Sequence, residues 1–145
     1  MKVRRIDHIG INVNDLAAAK AFFLELGLEV EGEYQMEGKW LDGIVGLEGV
    51  RTEMVMLGTP DGETSLELVK YVSPVDESGL QPSSANTLGI RHIAIAVDDI
   101  EGVLARLKKV GAVPFNEIYN YEGIYKLCYV RGPEGIILEL AEKIS

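Results

Sequence analysis

The sequence predicts an α+β fold built from two consecutive βαβββ modules. Three observations predict it: one strand phrase occurs twice, a helical stretch follows each copy, and a pair of turn-linked strands ends each half. The two copies are "IDHIGINVNDL" (residues 6–16) and "IRHIAIAVDDI" (90–100). Their identical pairs are Ile6/Ile90, His8/His92, Ile9/Ile93, Ile11/Ile95, Val13/Val97 and Asp15/Asp99. Such internal repetition is typical of a fold that repeats one structural unit.

Each strand phrase leads into a predicted helix, "DLAAAKAFFLELG" in the first half and "DIEGVLARLKKVG" in the second. Asn14 or Asp15 can cap the first helix, and Asp98 or Asp99 the second, because short polar side chains accept hydrogen bonds from the free N–H groups of a first turn. A glycine ends each stretch and favours the left-handed backbone that stops many helices. The helix boundaries are therefore marked twice in the same way.

The later strands of each half follow a period of two. "VRTEMVML" and "TSLELVKY" flank the turn "GTPDGE", and "YKLCYV" and "IILELAE" flank "RGPEG". A weaker strand precedes each pair, near "LEVEGEY" and "AVPFNEIY", and the first half also carries an inserted loop or short helix around Trp40. Pro, Ser and Gly without any period mark residues 72–89 as a linker. We therefore predict one domain, 1–145, made of modules 1–71 and 90–145.

Composition restricts the possible partners. The net charge of −9 argues against a nucleic-acid partner, since little would drive counterion release from a phosphate backbone. The sequence has no apolar run long enough to cross a membrane and no signal-peptide pattern at its start, so no membrane partner is expected. One cysteine, Cys128, suits a reducing compartment, and we expect a cytoplasmic location. A small-molecule substrate is the favoured partner.

Each histidine shares one face of its predicted strand with small residues. Side chains of a strand point alternately to its two faces, so the branched residues occupy one face and the histidines the other. The histidine face carries His8, Gly10 and Asn12 in the first copy and His92, Ala94 and Ala96 in the second. Because these neighbours leave empty space, this face suits a cavity better than a filled core.

Two glutamates repeat the same logic on the last strand of each half. Glu67 and Glu139 are flanked by leucines and point away from them, so both share the open face with the histidines. If the halves are related by pseudo-two-fold symmetry, His8, Glu67, His92 and Glu139 come together. Neutral imidazole and carboxylate suit a divalent Zn, Ni, Co, Fe or Mn ion. The alternative is that the histidines are half-buried strand residues and the glutamates are merely solvated.

These strand phrases, together with "SLELV" and "GPEGIILEL", resemble the vicinal oxygen chelate superfamily, from about Ile6 to Glu142. That superfamily includes glyoxalase I, methylmalonyl-CoA epimerase, fosfomycin resistance transferases, bleomycin-binding proteins and extradiol dioxygenases. The resemblance implies a curved, mostly antiparallel eight-stranded half-barrel with helices outside. We also expect a homodimer, and the cavity is formed either within one chain or between two chains. The resemblance also implies one divalent metal ion, and its ligand positions match those of His8, Glu67, His92 and Glu139.

The resemblance further implies a glyoxalase- or epimerase-type lyase or isomerase. Such an enzyme removes a proton next to a carbonyl of a small oxygen-rich substrate through a metal-bound enediolate. By position, the base is Glu139, with Glu67 opposite; in some epimerases a separate glutamate on the third strand serves, and Glu53 in "GVRTEMVM" is its counterpart. Two other functions stay open: an extradiol-type non-heme iron dioxygenase, and an antibiotic-binding resistance protein without catalysis.

Overall fold

The structure is a computed structural model that describes residues 1–145. It contains nine strands and three α-helices. In chain order they are β1 (His8–Asn12), α1 (Leu16–Leu26), β2 (Glu29–Glu37), α2 (Lys39–Val45), β3 (Arg51–Gly58), β4 (Ser65–Ser73), β5 (His92–Ala96), α3 (Ile100–Lys109), β6 (Val113–Pro114), β7 (Tyr119–Tyr121), β8 (Tyr125–Arg131) and β9 (Ile137–Lys143). The chain divides into two compact units, Met1–Gly79 and Leu80–Ser145.

Unit 1 (Met1–Gly79) is a four-stranded mixed sheet with strand order β1-β4-β3-β2. The β1–β4 pair is parallel and the other two pairs are antiparallel. Asp15 caps α1 by accepting a hydrogen bond from the Ala18 amide, and Gly27 ends the helix with a left-handed φ of 120°. The helix buries Phe22 and Phe23, and this unit's sheet buries leucines from β3 and β4. One face of the sheet is therefore committed to the core.

Unit 2 (Leu80–Ser145) repeats the arrangement with strand order β5-β9-β8-β6, and β7 also pairs with β8. Its β5–β9 pair is parallel, like β1–β4 in unit 1. Asp99 caps α3 by accepting a hydrogen bond from the Gly102 amide. Ile100 and Leu107 of α3 are fully buried, as are Leu138 and Leu140 of β9. The core of each unit is thus built from equivalent positions.

The predicted α+β fold with two βαβββ modules is confirmed, and the division between the units falls within the predicted linker 72–89. The strand count differs by one, because the predicted strand near "AVPFNEIY" is divided into the short strands β6 and β7. Pro114 ends β6, and proline has no N–H group to continue a strand ladder. The insertion around Trp40 folds as the short helix α2, in which Leu41 is buried.

None of the three helices is both long and apolar enough to span a membrane.

Candidate functional site

His8 and Glu67 of unit 1 lie side by side on the sheet face opposite the core. In the parallel β1–β4 pair, His8 is in register with Ser65 and Gly10 with Glu67. Since side chains alternate, His8 and Glu67 share one face, and Glu67 lies two residues along β4 from the register partner of His8. The His8 Nε2 atom is 3.6 Å from Glu67 Oε2, and the two side chains are 41% and 21% exposed.

Unit 2 builds the same pair from His92 and Glu139. In the parallel β5–β9 pair, Ala94 is in register with Glu139, as Gly10 is with Glu67. The His92 Nε2 atom is 3.4 Å from Glu139 Oε1, and the side chains are 38% and 21% exposed. The near-identical separations and exposures show that each unit presents one imidazole and one carboxylate in the same local arrangement.

The separation within each pair, taken by itself, fits two adjacent ligands of a divalent cation. At 3.4 and 3.6 Å the nitrogen and oxygen atoms are farther apart than in an ordinary hydrogen bond. Two ligand atoms that each lie about 2.1 Å from a cation are about 3.0–3.6 Å apart at coordination angles between about 90° and 120°. The donor chemistry agrees, because imidazole and carboxylate together suit Zn, Ni, Co, Mn or Fe.

Asp7 orients the imidazole of His8. Its Oδ2 atom lies 2.7 Å from His8 Nδ1, and its Oδ1 atom accepts a hydrogen bond of 3.0 Å from Arg5. The hydrogen bond with His8, and then the Arg5 charge, lower the pKa of Asp7, and the same hydrogen bond raises the pKa of His8. A proton on Nδ1 leaves the lone pair on Nε2, the atom that points at Glu67. A carboxylate behind a ligand histidine is the usual support of a metal site.

Tyr129 contacts the imidazole of His92, whereas His8 of unit 1 has a carboxylate as its neighbour. Its hydroxyl lies 3.4 Å from both ring nitrogens of His92, and the two ring centroids are 5.0 Å apart. Tyr129 is also in register with Glu139, so its side chain is on the face of the pair. Burial, and then the Glu139 charge, raise the pKa of Tyr129, so the phenol keeps its proton near neutral pH. The equivalent partner of Glu67 is Met56, which has no such donor.

An aromatic border extends this face of unit 2. The Phe115 ring packs edge-on against Tyr129 with centroids 5.9 Å apart, and the Arg131 guanidinium lies 4.9 Å from the centre of the Phe115 ring. Registers along β7, β8 and β9 place three more exposed tyrosines on the same face: Tyr119, Tyr121 and Tyr125. The sequence analysis did not identify Tyr129, although its hairpin partner is Glu139.

Glu53 lies on the other face of the unit 1 sheet. In the regular β3–β4 register, Met56 is beside Glu67 and Glu53 is beside Lys70. Because Glu53 and Met56 are an odd number of residues apart, their side chains point to opposite faces. The structure therefore brings His8 and Glu67 together and places Glu53 on the face that α1 covers. A part for Glu53 beside these two residues has no support in the geometry of unit 1.

A second acidic group lies at the start of α3. Carboxylate oxygens of Asp99, Glu101 and Glu142 are all within 4.8 Å of one another. Each already serves the helix or its surroundings: Asp99 caps it, Glu142 accepts a hydrogen bond from the Ile100 amide, and Glu101 accepts one from Lys126. These contacts account for the group without a cation.

Comparison with protein families places the chain among known relatives. Residues 7–129 match the model of the glyoxalase/bleomycin resistance protein/dioxygenase superfamily. The Bacillus subtilis protein YwbC is 31% identical over 144 residues, which cover 97% of this chain and 98% of YwbC. The Escherichia coli protein YaeR is 24% identical, again over 97% of this chain and 98% of its own length.

Solved structures agree with this result. A glyoxalase family protein from Bacillus cereus matches with a TM-score of 0.92 and 37% identity, over 100% of this chain and 97% of the other. A glyoxalase family protein from Enterococcus faecalis matches with a TM-score of 0.66 and 27% identity, over 96% and 98%. TnmS3, an antibiotic-binding protein from a Streptomyces species, matches with a TM-score of 0.64 over 99% and 98% of the chains, and its 18% identity shows the fold alone.

Proposed function

Because the chain belongs to the glyoxalase/bleomycin resistance protein/dioxygenase superfamily, we propose that it is a divalent-metal-dependent lyase or isomerase. The proposed reaction moves a proton at the carbon next to a carbonyl group of a small oxygen-rich substrate. One observation carries the proposal: each unit presents a histidine and a glutamate at a separation that fits adjacent metal ligands. His8, Glu67, His92 and Glu139 are the proposed ligands, for one cation per chain.

A bound divalent cation supplies Lewis-acid polarisation of a carbonyl oxygen, which makes the neighbouring C–H group more acidic. Glu139 is the proposed proton carrier: it accepts the proton from that carbon and returns it. Tyr129, protonated at neutral pH and in register with Glu139, can donate a hydrogen bond to negative charge that develops on the substrate. Glu67 has Met56 at the equivalent position and therefore lacks a donor of this kind.

Metal analysis of three variants tests the ligand assignment. Wild-type protein should carry about one divalent ion per chain, and His8→Ala and His92→Ala should each lower that occupancy. Glu53→Gln is the matched control, since it removes a charge from the opposite face of the same sheet and should leave occupancy unchanged. Unchanged occupancy in both histidine variants would show that the assignment is wrong.

Proton exchange tests the reaction. We expect the metal-loaded protein to exchange the α-proton of a methylglyoxal hemithioacetal or a 2-methylmalonyl thioester with deuterium from solvent. Glu139→Gln should retain the fold and lose most of this exchange, because an amide cannot carry the proton. Normal exchange in Glu139→Gln would move the proton carrier to Glu67 or to a bound hydroxide.

The exposed aromatic side chains of unit 2 favour one second candidate, a binding protein for an aromatic antibiotic. Phe115, Tyr119 and Tyr121 are 42%, 67% and 47% exposed on the face of His92 and Glu139. This candidate predicts that ligand binding survives complete removal of metal by a chelator. Loss of binding on chelation would favour the enzyme.

Assembly and location complete the proposal. We expect a homodimer. We also expect a cytoplasmic location, in keeping with the single unpaired cysteine, Cys128. Analytical ultracentrifugation at micromolar concentration measures the mass of the assembly, and a monomer would contradict the expectation.

A further inference from the structure

Glu31 is an additional residue in β2 that a bulge turns out of the regular strand alternation. In the β2–β3 pair, Val30 is beside Leu57 and Gly32 is beside Met56, so Glu31 has no partner in the ladder. A bulge of this kind redirects a side chain and is frequent next to functional sites. Glu33, two residues farther on, keeps the regular alternation and forms an ion pair of 2.8 Å with Lys20 of α1.

The Glu31 side chain occupies the space left by the missing side chain of Gly58. A Cβ atom on Gly58 would lie 2.6 Å from Cδ and 3.1 Å from Cγ of Glu31, closer than packing allows. The carboxylate then reaches β4, where the Ser65 hydroxyl donates a hydrogen bond of 2.6 Å to Oε1. The Glu31 side chain thus extends across β3 and is held by the Ser65 hydroxyl.

This position is on the face of His8 and Glu67. Gly58 lies on the same face of β3 as Met56, which is the register partner of Glu67. Ser65 is the register partner of His8. Since adjacent strands lie about 4.8 Å apart, the Ser65 side chain is an immediate neighbour of His8. The bulge therefore brings to the candidate site a carboxylate that is distinct from the proposed metal ligands.

We propose that Glu31 is a specificity-determining residue of the candidate site, selecting substrates that carry a cationic group and disfavouring anionic ones. Oε1 is engaged by Ser65, and Oε2 is left to accept a hydrogen bond from the substrate. The side chain is exposed, so it meets an incoming ligand without prior rearrangement. The inference rests on the proposed function, because it assumes that a substrate binds at the metal.

Matched hydroxamates test the selection without any need for turnover. A hydroxamate presents two adjacent oxygens to a metal, and three of similar length differ in charge: β-alanine hydroxamate is cationic, propionohydroxamate is neutral and succinic monohydroxamate is anionic. Calorimetric titration of the metal-loaded protein gives a dissociation constant for each. The readout is the ratio of these constants in wild type relative to the same ratio in each variant, which cancels the intrinsic metal affinity of the probes.

We expect Glu31→Gln to reduce the preference for the cationic over the neutral probe by about two- to fivefold, the range for an exposed ion pair. Gly58→Ala should act in the same direction while Glu31 is retained, because the new methyl group displaces the carboxylate. Glu33→Gln, which removes the same charge from the opposite face, should leave the ratio unchanged.

The outcomes separate the inference from the proposed function. Equal ratios in wild type, Glu31→Gln and Glu33→Gln, with normal binding of propionohydroxamate, would overturn the inference and leave the metal centre standing. Failure of propionohydroxamate to bind the metal-loaded wild type would overturn the metal centre, and the inference with it.

Discussion

Removal of the Asp7 side chain should weaken metal binding by about tenfold without removing a ligand. The Asp7 carboxylate lies 2.7 Å from His8 Nδ1 and fixes the ring so that Nε2 points at Glu67. In Asp7→Ala the ring loses both its orientation and the negative charge that makes it a better donor. Residues in this position typically contribute 10- to 100-fold in metal affinity.

The structure puts Asp7 at the low end of that range. Its side chain is 70% exposed, so water competes for the hydrogen bond and screens the charge. Asp7→Asn keeps an acceptor for Nδ1 but loses the charge, and a charge-assisted hydrogen bond is about twice as strong as a neutral one. The asparagine variant should therefore lose only about threefold in affinity, which is half of the tenfold loss on a logarithmic scale.

Competition with a chelator of known affinity measures the effect. Asp76→Asn is the matched control, because this aspartate is exposed in the linker and bonds only locally with Ser78. The expected order of affinity is wild type and Asp76→Asn together, then Asp7→Asn, then Asp7→Ala. If Asp7→Ala binds metal as tightly as the control does, the assignment of His8 Nε2 as a ligand atom is refuted.

Two further predictions concern the core of unit 2. Leu140→Ala should lower the free energy of unfolding, measured by urea titration, by about 2–5 kcal/mol, because Leu140 is fully buried. Leu127→Ala, on the partly exposed face, should lower it by less than half as much. Burial raises the pKa of the Cys128 thiol, so iodoacetamide should modify native protein at pH 8 far more slowly than urea-unfolded protein, and equal rates would contradict the burial. Because this pKa is higher in the folded state, the stabilisation linked to the protonated thiol is present below the ordinary thiol pKa and is lost as the pH rises through the raised value.

Strand alternation accounts for most of what the sequence predicted correctly about the fold. The repeated phrase and the leucines around each glutamate are sufficient to put His8 and Glu67, and separately His92 and Glu139, on the face opposite the core. Signals within each module are sufficient for this placement, because the first and last strands pair in parallel once each module folds as βαβββ. The helix caps at Asp15 and Asp99 were readable for the same reason.

Residues whose placement depends on exact register were not predicted. Glu53 was selected by resemblance alone. Along β3 it lies on the same face as the buried Val55 and Leu57, so its side chain points toward the core side. Glu31 was missed because a bulge adds one residue to β2, and the sequence around it carries no signal for that position. Tyr129 required the pairing of β8 with β9 to be known residue by residue.

The unlike surroundings of the two histidine–glutamate pairs distinguish two units that are otherwise alike. A phenol is the register partner of Glu139, and a thioether is the register partner of Glu67. A polar group of a ligand therefore meets a hydrogen-bond donor beside the pair of unit 2, but only a soft and weakly polar sulfur beside the pair of unit 1.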